Sequence, residues 1–418
     1  MESNNNIKVK IITIGDELLL GQVINTNASW LGEQLNFNGF KLDSVITIGD
    51  GEEDILNALD SCSDANIVII TGGLGPTADD ITKPTLCKFF DTELVLNDDA
   101  LENINSIFKL RGYQMSERNK LQAYIPKSCT YIPNRFGTAP CMWFEKNNTV
   151  YISMPGVPFE MKSLFKTELI DRLKKHFKPT PYGRRVIMTT GIGESFLADK
   201  IKDWEEALPD FMSLAYLPQY GMVRLRLDAR HENEKLLQEY LDNQIQKLKE
   251  IISDYIFSYD DKPISEVIVN MLKERNLSLS TAESCTGGSI ARMITSVPGC
   301  SYIYKGSVIA YDSKVKEELL NVNHDDIEKY NVVSQEVAEQ MAIGARNLMN
   351  TDFALSTTGI AGPDGGTEKN PVGTVCIALA TPNEVISKRH NFGKDRQNNI
   401  ERASITALEM LRQYLLKN

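Results

Sequence analysis

Ser284 stands in the run Ser280-Thr281-Ala282-Glu283-Ser284-Cys285-Thr286-Gly287-Gly288, after the strand-like Leu277-Ser278-Leu279 and before Ile290, Met293, Ile294 and Val297 at helical spacing. A hydroxyl on a strand-to-helix turn faces unpaired N–H groups and the positive end of a helix dipole, which can hold a phosphate or a developing oxyanion. The chemistry this suggests is nucleophilic attack. Position alone favours a plainer role, in which Ser284 and Thr286 cap the helix. A serine nucleophile also needs a base. His324 and His390 are the imidazoles of the last third of the chain, and both sit in ordinary surface contexts. A lysine of lowered pKa can replace histidine, and Lys316, just beyond a strand end, is the candidate; the alternative is a solvated lysine among Lys314, Glu317 and Glu318. Ser313, which fits S-x-x-K with Lys316, and Cys285, a thiol near a helix start, are rival nucleophiles.

A second constellation is Thr71-Gly72-Gly73-Leu74-Gly75-Pro76-Thr77-Ala78-Asp79-Asp80, at the end of the apolar strand Ile67 to Ile70. Its glycines let the backbone approach an anion closely, and Asp79 and Asp80 fall on the next helix's first turn. Asp16 and Glu17 end a neighbouring strand, so carboxylates converge on a glycine-lined anion site, as a hard divalent cation requires. The run matches neither G-x-x-x-x-G-K-[ST] nor G-x-G-x-x-G. The alternative is a tight turn with capping aspartates.

The elements that place these residues follow from periodicity. Residues 7–14, 43–48 and 67–70 read as strands, separated by helices at 25–38 and 52–61, which implies parallel βαβ units whose ligands bind at the strands' carboxyl ends. Met154-Pro155-Gly156-Val157-Pro158-Phe159-Glu160 is a further loop at a strand end, and composition changes near residue 178. Arg185 to Tyr255 reads as strand, helix, hairpin and helix, with Leu237, Leu241, Ile245, Leu248 and Ile252 facing inward. Thr190 to Ser195 there reads as a plain helix start rather than an anion nest. Ser258 to Pro263 reads as a linker. The last domain is again three-layer α/β, with two edge-type strands at Gly373 to Ala380 and Glu384 to Asn391. Its loop Thr358-Gly359-Ile360-Ala361-Gly362-Pro363-Asp364 echoes the first glycine loop, but the flanking element orders differ.

At 418 residues two or three domains are expected. The net charge of -11 argues against a general nucleic-acid or anionic-membrane surface. Seven scattered cysteines without a C-x-x-C pair suit reduced thiols, and four dispersed histidines make a histidine metal centre improbable. No apolar run spans a membrane and Met1 to Asn6 is not a signal peptide, so the chain reads as cytoplasmic.

IGDELLLGQVINTNASWL, TGGLGPTADDITKP, MPGVPFEM, AESCTGG and TGIAGPDGG...PVGTV, in this order, closely resemble the CinA family of competence and damage-inducible proteins over nearly the whole chain. The resemblance implies a molybdopterin-binding-like domain with ADP-ribose pyrophosphatase activity over 1–177, a small α+β KH-like domain over 178–257, and an amidase over 262–418 that deamidates nicotinamide mononucleotide. It also implies a homodimer. Carried over by motif, Ser284 is the nucleophile, Tyr311 and Lys316 match the family's Tyr-x-x-x-x-Lys, and Thr358 lines the site. Cys285, Thr286, Gly287, Gly288, Gly359 and Arg396 would hold the oxyanion or phosphate. Ile400 stands where many relatives carry a second basic residue, and Ser313 where they carry Asn, which makes S-x-x-K accidental. For the pyrophosphatase, Asn25, Thr26, Asn27, Gly72, Gly73, Gly75, Thr77 and Glu160 would bind substrate. Asp80, Asp79, Asp16 and Glu17 would hold a divalent metal of the Mg or Co class; the amidase would need no cofactor. The alternative is a first domain that only binds a pterin or nucleotide as a sensor.

Overall fold

A computed structural model describes residues 7–77 and 79–418; Met1 to Asn6, read above as no signal peptide, and Ala78 of the first glycine loop lie outside the described residues. The chain packs as two compact units: residues up to Gly183 with Ala229–Glu239, and Arg184–Asp228 with Tyr240–Asn418. Among the described residues, no helix is long and apolar enough to cross a membrane.

The first unit is built on β1 (Lys8–Ile14), β2 (Lys41–Ile48), β3 (Ile67–Thr71), β4 (Thr130–Ile132), β5 (Cys141–Lys146) and β6 (Thr149–Met154). They form one sheet in the order β2-β1-β3-β6-β5-β4, parallel from β2 to β6 and antiparallel beyond. β3 and β6 are buried along their whole length, as continuous apolar runs inside a parallel sheet must be, while β2 alternates exposed and half-buried residues at the edge. Besides helices over Asp98–Leu110 and Glu117–Lys120, the unit carries α1 (Asp16–Leu19), α2 (Thr26–Phe37), α3 (Glu52–Asp60), α4 (Thr82–Phe89) and α5, which starts at Pro158–Leu164 and continues through a π turn to Phe177. Ile11, Ile69 and Ile152 pack with Leu31 and Leu35 of α2 and with Met161 and Leu164 of α5. Ile12, Ile70 and Tyr151 pack on the other face with Ile55 and Leu59 of α3 and Leu86 of α4. Alternation along each strand thus builds the three layers.

The middle segment carries β7 (Tyr182–Thr190), β8 (Met212–Gln219), β9 (Met222–Arg230) and β10 (Ile256–Ser258) in the order β8-β9-β7-β10, with α6 (Glu194–Glu206) and α7 (Glu234–Ile252). The inward stripe of α7, Leu237, Leu241, Ile245, Leu248 and Ile252, is buried.

The carboxyl-terminal sheet contains β11 (Leu279–Glu283), β12 (Tyr304–Ile309), β13 (Phe353–Gly359), β14 (Thr374–Ala380) and β15 (Val385–Asn391), in the order β12-β11-β13-β14-β15. β11 is parallel to both neighbours, and β14 and β15 turn antiparallel. β14 is not an edge strand: it lies between β13 and β15 with every residue buried, and of the two strands expected at an edge only β15 is at one. A short apolar run does not distinguish the two positions. α8 (Ile264–Glu274), α9 (Ser289–Thr295) and α12 (Arg396–Lys417) cover one face, with Leu279, Leu355 and Ile377. α10 (Ser313–Leu320) and α11 (Gln335–Met349) cover the other, with Ala282, Ala354 and Ala378. The two glycine loops are not a repeat, because a helix follows β3 and an antiparallel strand follows β13.

Candidate active site

Parity along β11 decides what Ser284 faces. Even-numbered Ser280 and Ala282 point to the α11 layer, whereas Thr281 bonds to Tyr304 and Ser307 on the other side. Ser284, one step past the strand, keeps the even face, and its amide donates to the Thr357 carbonyl at 2.9 Å. α10 begins directly beyond β12, with Asp312 capping it by accepting the Lys314 amide at 2.8 Å, so Lys316 folds back over the strands' carboxyl ends. Its Nζ donates to the carbonyls of Ala310 at 2.6 Å and Tyr311 at 3.2 Å and lies 3.2 Å from Ser284 Oγ. Lys316 is 1% exposed, and burial lowers its pKa against the opposing pull of Asp312.

The inventory of bonds fits a neutral amine. Two N–H groups serve two carbonyls, and the remaining lone pair can accept the Ser284 hydroxyl. The solvated-lysine alternative does not hold, and Ser313 is displaced because Lys316 reaches Ser284 instead. Cys285 also drops out as a nucleophile: burial holds its thiol protonated, pushing its pKa up to about 12. His324 is exposed and paired with Glu317, and His390 stacks on Phe392.

Ser284 and Thr286 do not cap α9. The helix starts only at Ser289, and the carboxylate of Glu283 takes its end instead, accepting from the amides of Gly288, Ile290 and Ala291 and from the Thr286 hydroxyl. Of the amides expected to hold an anion, Gly287 donates to the Ser284 carbonyl and Gly288 to Glu283, while that of Cys285 meets only its own sulfur and that of Thr286 meets no acceptor among the described residues. Thr358 follows Thr357, whose carbonyl takes the Ser284 amide, but the Thr358 hydroxyl is committed to the Val332 carbonyl at 2.8 Å. Gly359 pairs with Val375 in the sheet. At the rim, Arg396 donates to the Gly362 carbonyl at 2.7 Å and to the exposed Tyr311 hydroxyl at 3.3 Å. Asn399, one turn along α12 and buried, donates to the carbonyls of Ala361 and Gly393. Glu283 and Asn399 are the residues that sequence reasoning missed; for Glu283 the signal was a charged group closing a strand that is buried along its whole length.

In the first unit, a pocket of about 210 Å³ opens at the carboxyl ends of β1, β3 and β6, lined by Thr13, Glu17, Asn25, Thr26, Asn27 and Gly156 among others. Asn25 caps α2 through the Ala28 amide and donates to Thr13 at 2.9 Å. Asn27 donates to the Gly156 carbonyl at 2.6 Å, and its Oδ1 is buried with no partner among the described residues. Gly72 is glycine for packing: with φ at 119°, a Cβ there would lie 2.2 Å from the Ile14 carbonyl oxygen. Asp80 is turned into the loop, accepting from the amides of Gly75 at 2.8 Å and Thr77 at 2.9 Å and from the Thr77 hydroxyl. Gly73 accepts the Thr82 amide through its carbonyl. Glu160 accepts from Asn134 at 2.7 Å and packs over Gly137, so it braces that loop. Asp16 and Asp50 exchange backbone-to-carboxylate bonds, and Asp50 is raised by burial and by the charges of Asp16, Glu17 and Asp79. No three His, Cys, Asp or Glu side chains among the described residues gather closely enough to hold a metal ion. Lys83, also missed in the sequence, is buried on three carbonyls of residues 121–124, and burial lowers its pKa to about 8.

A cavity of about 500 Å³ lined by Thr190, Gly221, His390, Phe392 and Arg402 among others lies in the second unit but includes neither Ser284 nor Lys316. It exceeds the first unit's strand-end pocket in volume. The buried nucleophile–base pair is the stronger indicator of chemistry.

Family models match residues 10–175 ("Probable molybdopterin binding domain"), 184–258 ("Damage-inducible protein CinA KH domain") and 261–415 ("CinA C-terminal domain"). The chain is 44% identical over 413 residues to a CinA-like protein of Cytophaga hutchinsonii, covering 99% of each chain. It is 44% identical over 417 residues to one of Flavobacterium psychrophilum, again covering 99% of each. Among solved structures, the competence/damage inducible protein CihA of Agrobacterium tumefaciens is 35% identical at a TM-score of 0.36, with 36% of this chain and 92% of that one covered. The protein CinA of Thermoplasma acidophilum is 32% identical at a TM-score of 0.37, with 42% and 99% covered.

Proposed function

The chain belongs to the CinA family, with a molybdopterin-binding-like first domain, and from that premise we propose that its carboxyl-terminal domain hydrolyses the carboxamide of nicotinamide mononucleotide. The observation that carries this reading is the buried Lys316 Nζ at 3.2 Å from Ser284 Oγ. Lys316, neutral, takes the Ser284 proton as Oγ attacks the carboxamide carbon. The oxyanion meets the amides of Cys285 and Thr286, and losing such a donor typically costs about 100-fold in rate. Lys316 then returns the proton to the departing ammonia. Water, deprotonated by the same amine, hydrolyses the acyl-serine to nicotinate mononucleotide. The substrate phosphate goes to the Tyr311–Arg396 rim, where Arg396 supplies the fixed charge. Ammonia release by purified Ser284→Ala protein tests the assignment: the variant should be inactive, and full turnover would sink it.

We propose further that the first domain hydrolyses ADP-ribose to AMP and ribose 5-phosphate with a divalent cation of the Mg or Co class. Support comes from the Asn25–Asn27 pocket at the strand ends and from Asp50, whose pKa is raised first by burial and then by the charges of Asp16, Glu17 and Asp79. Mg²⁺-type ions are often held by one or two carboxylates plus substrate phosphates, which suits acids that do not form a closed set. One or two of Asp16, Glu17, Asp50 and Asp79 would hold it together with the substrate phosphates; Asp80 is occupied by its loop. When bound, the ion would neutralise phosphate charge and polarise water. The absence of a three-ligand set among the described residues favours a second reading, a domain that binds a nucleotide without cleaving it. Comparing ADP-ribose turnover and binding with and without divalent metal separates the two. We expect a homodimer, which light scattering checks.

A further inference from the structure

Glu283 ends β11, is wholly buried, and takes no part as nucleophile or base in the reaction above. Its Oε2 accepts from the Thr286 hydroxyl at 2.7 Å, the Gly288 amide at 3.0 Å and the Ile290 amide at 3.1 Å, and its Oε1 accepts from the Ala291 amide at 2.8 Å. A carboxylate removed from water is tolerated only when its oxygens are satisfied, and here four donors do so. Glu283 follows the odd parity of Thr281, so it grips the turn from the face of the sheet opposite Lys316. The turn is thereby pinned at both ends. Ser284 N is fixed on the Thr357 carbonyl, Gly288 N on Glu283, and Thr286 in the middle on both Glu283 and the Thr357 hydroxyl at 2.7 Å. Between these anchors lie the amides of Cys285 and Thr286, which among the described residues meet no acceptor beyond the Cys285 sulfur.

We propose that Glu283 is a positioning residue of the amidase: it fills the start of α9 with a protein carboxylate and so fixes the Cys285 and Thr286 amides as oxyanion donors beside Ser284. The inference rests on the reading of Ser284 as the nucleophile. It also means that the substrate's own anion is held elsewhere than at α9. Glutamine keeps the shape of Glu283 but turns one oxygen into an NH₂ that must face an N–H donor, either at Ala291 or at the three-donor side, so the turn has to shift.

The test uses the purified full-length chain and nicotinamide mononucleotide. Glu283→Gln should lower kcat by about 100-fold, the usual cost of a misplacement near 1 Å, while KM stays within about twofold. Labelling of Ser284 by a small fluorophosphonate, followed by intact mass, should slow in parallel. A folded Glu283→Gln protein with wild-type kcat, or one whose loss lies wholly in KM, overturns the proposal. If Glu283→Gln does not fold, Thr286→Val decides: it removes one of the four donors, and a kcat lowered about tenfold supports the proposal while an unchanged kcat overturns it. Turnover by Ser284→Ala would instead sink the serine reading, a result distinct from wild-type kcat in Glu283→Gln beside an inactive Ser284→Ala.

Discussion

A lysine that must be neutral to act ties activity and stability to the same proton. Burial holds the Lys316 pKa below the ordinary lysine value of 10.5, so between that lowered value and 10.5 the unfolded chain binds the extra proton. Stability contributed by this group therefore rises with pH through that window and falls as pH drops through it. Lys83, at about 8, acts with the same sign. Urea unfolding of Lys316→Met across the window should show a shallower rise than the native chain, with the share of Lys83 retained. The kcat/KM profile for ammonia release should rise with pH as Lys316 loses its proton. Lys316→Arg keeps a cation that does not deprotonate and should lose about 100-fold or more in kcat; an arginine variant with native kcat would remove Lys316 from the role of base.

Whether that lysine reaches its serine is decided by how two helices meet. A Cβ on Gly344 of α11 would lie 2.0 Å from the carbonyl oxygen of Leu320, the last residue of α10, so the close approach of the two helices depends on glycine there. Gly344→Ala should push α10 outward and lower kcat, although the residue touches nothing in the site, and a crystal structure of the variant should show a longer Lys316–Ser284 distance. Native kcat with native geometry would show that the contact relaxes without moving Lys316. Such a dependence is invisible in sequence, where Gly344 is one small residue in an amphipathic helix. The strands, the two glycine loops and the turn carrying Ser284 were legible, because periodicity and turn chemistry are local. The place of β14 inside the sheet and the partners of Glu283 were not, because pairing order and burial are fixed by residues distant in sequence. Ser284 and Lys316 were readable as candidates, but their pairing depends on the register of β11 with β12 and on the α10–α11 contact. Thr358 shows the converse: the family motif singles it out, yet its hydroxyl is engaged in holding the Val332 segment.

At the scale of the chain, the domain segments seen in sequence and the compact units do not coincide. Val186, Met188 and Phe257 from the middle segment share one core with α8, α12 and the carboxyl-terminal sheet, and Arg412 donates to the Ile256 carbonyl at 3.2 Å. A fragment of residues 262–418 would lose all three side chains, each worth ~1.5–3 kcal/mol when fully buried. It should melt lower than a fragment of residues 184–418, or self-associate, as scanning calorimetry and light scattering would report. Equal melting of the two would show the shared core to be dispensable. The burial that silences Cys285 as a nucleophile has a use of another kind. Cys62, Cys87, Cys141, Cys285 and Cys376 are buried and have raised pKa values, with burial the leading cause, so each reacts with an alkylating reagent mainly when its surroundings open. A timed pulse of reagent therefore writes the opening of the protein as added mass, with Cys62 and Cys141 dating events in the first sheet and Cys285 and Cys376 in the last. The chain carries its own clocks.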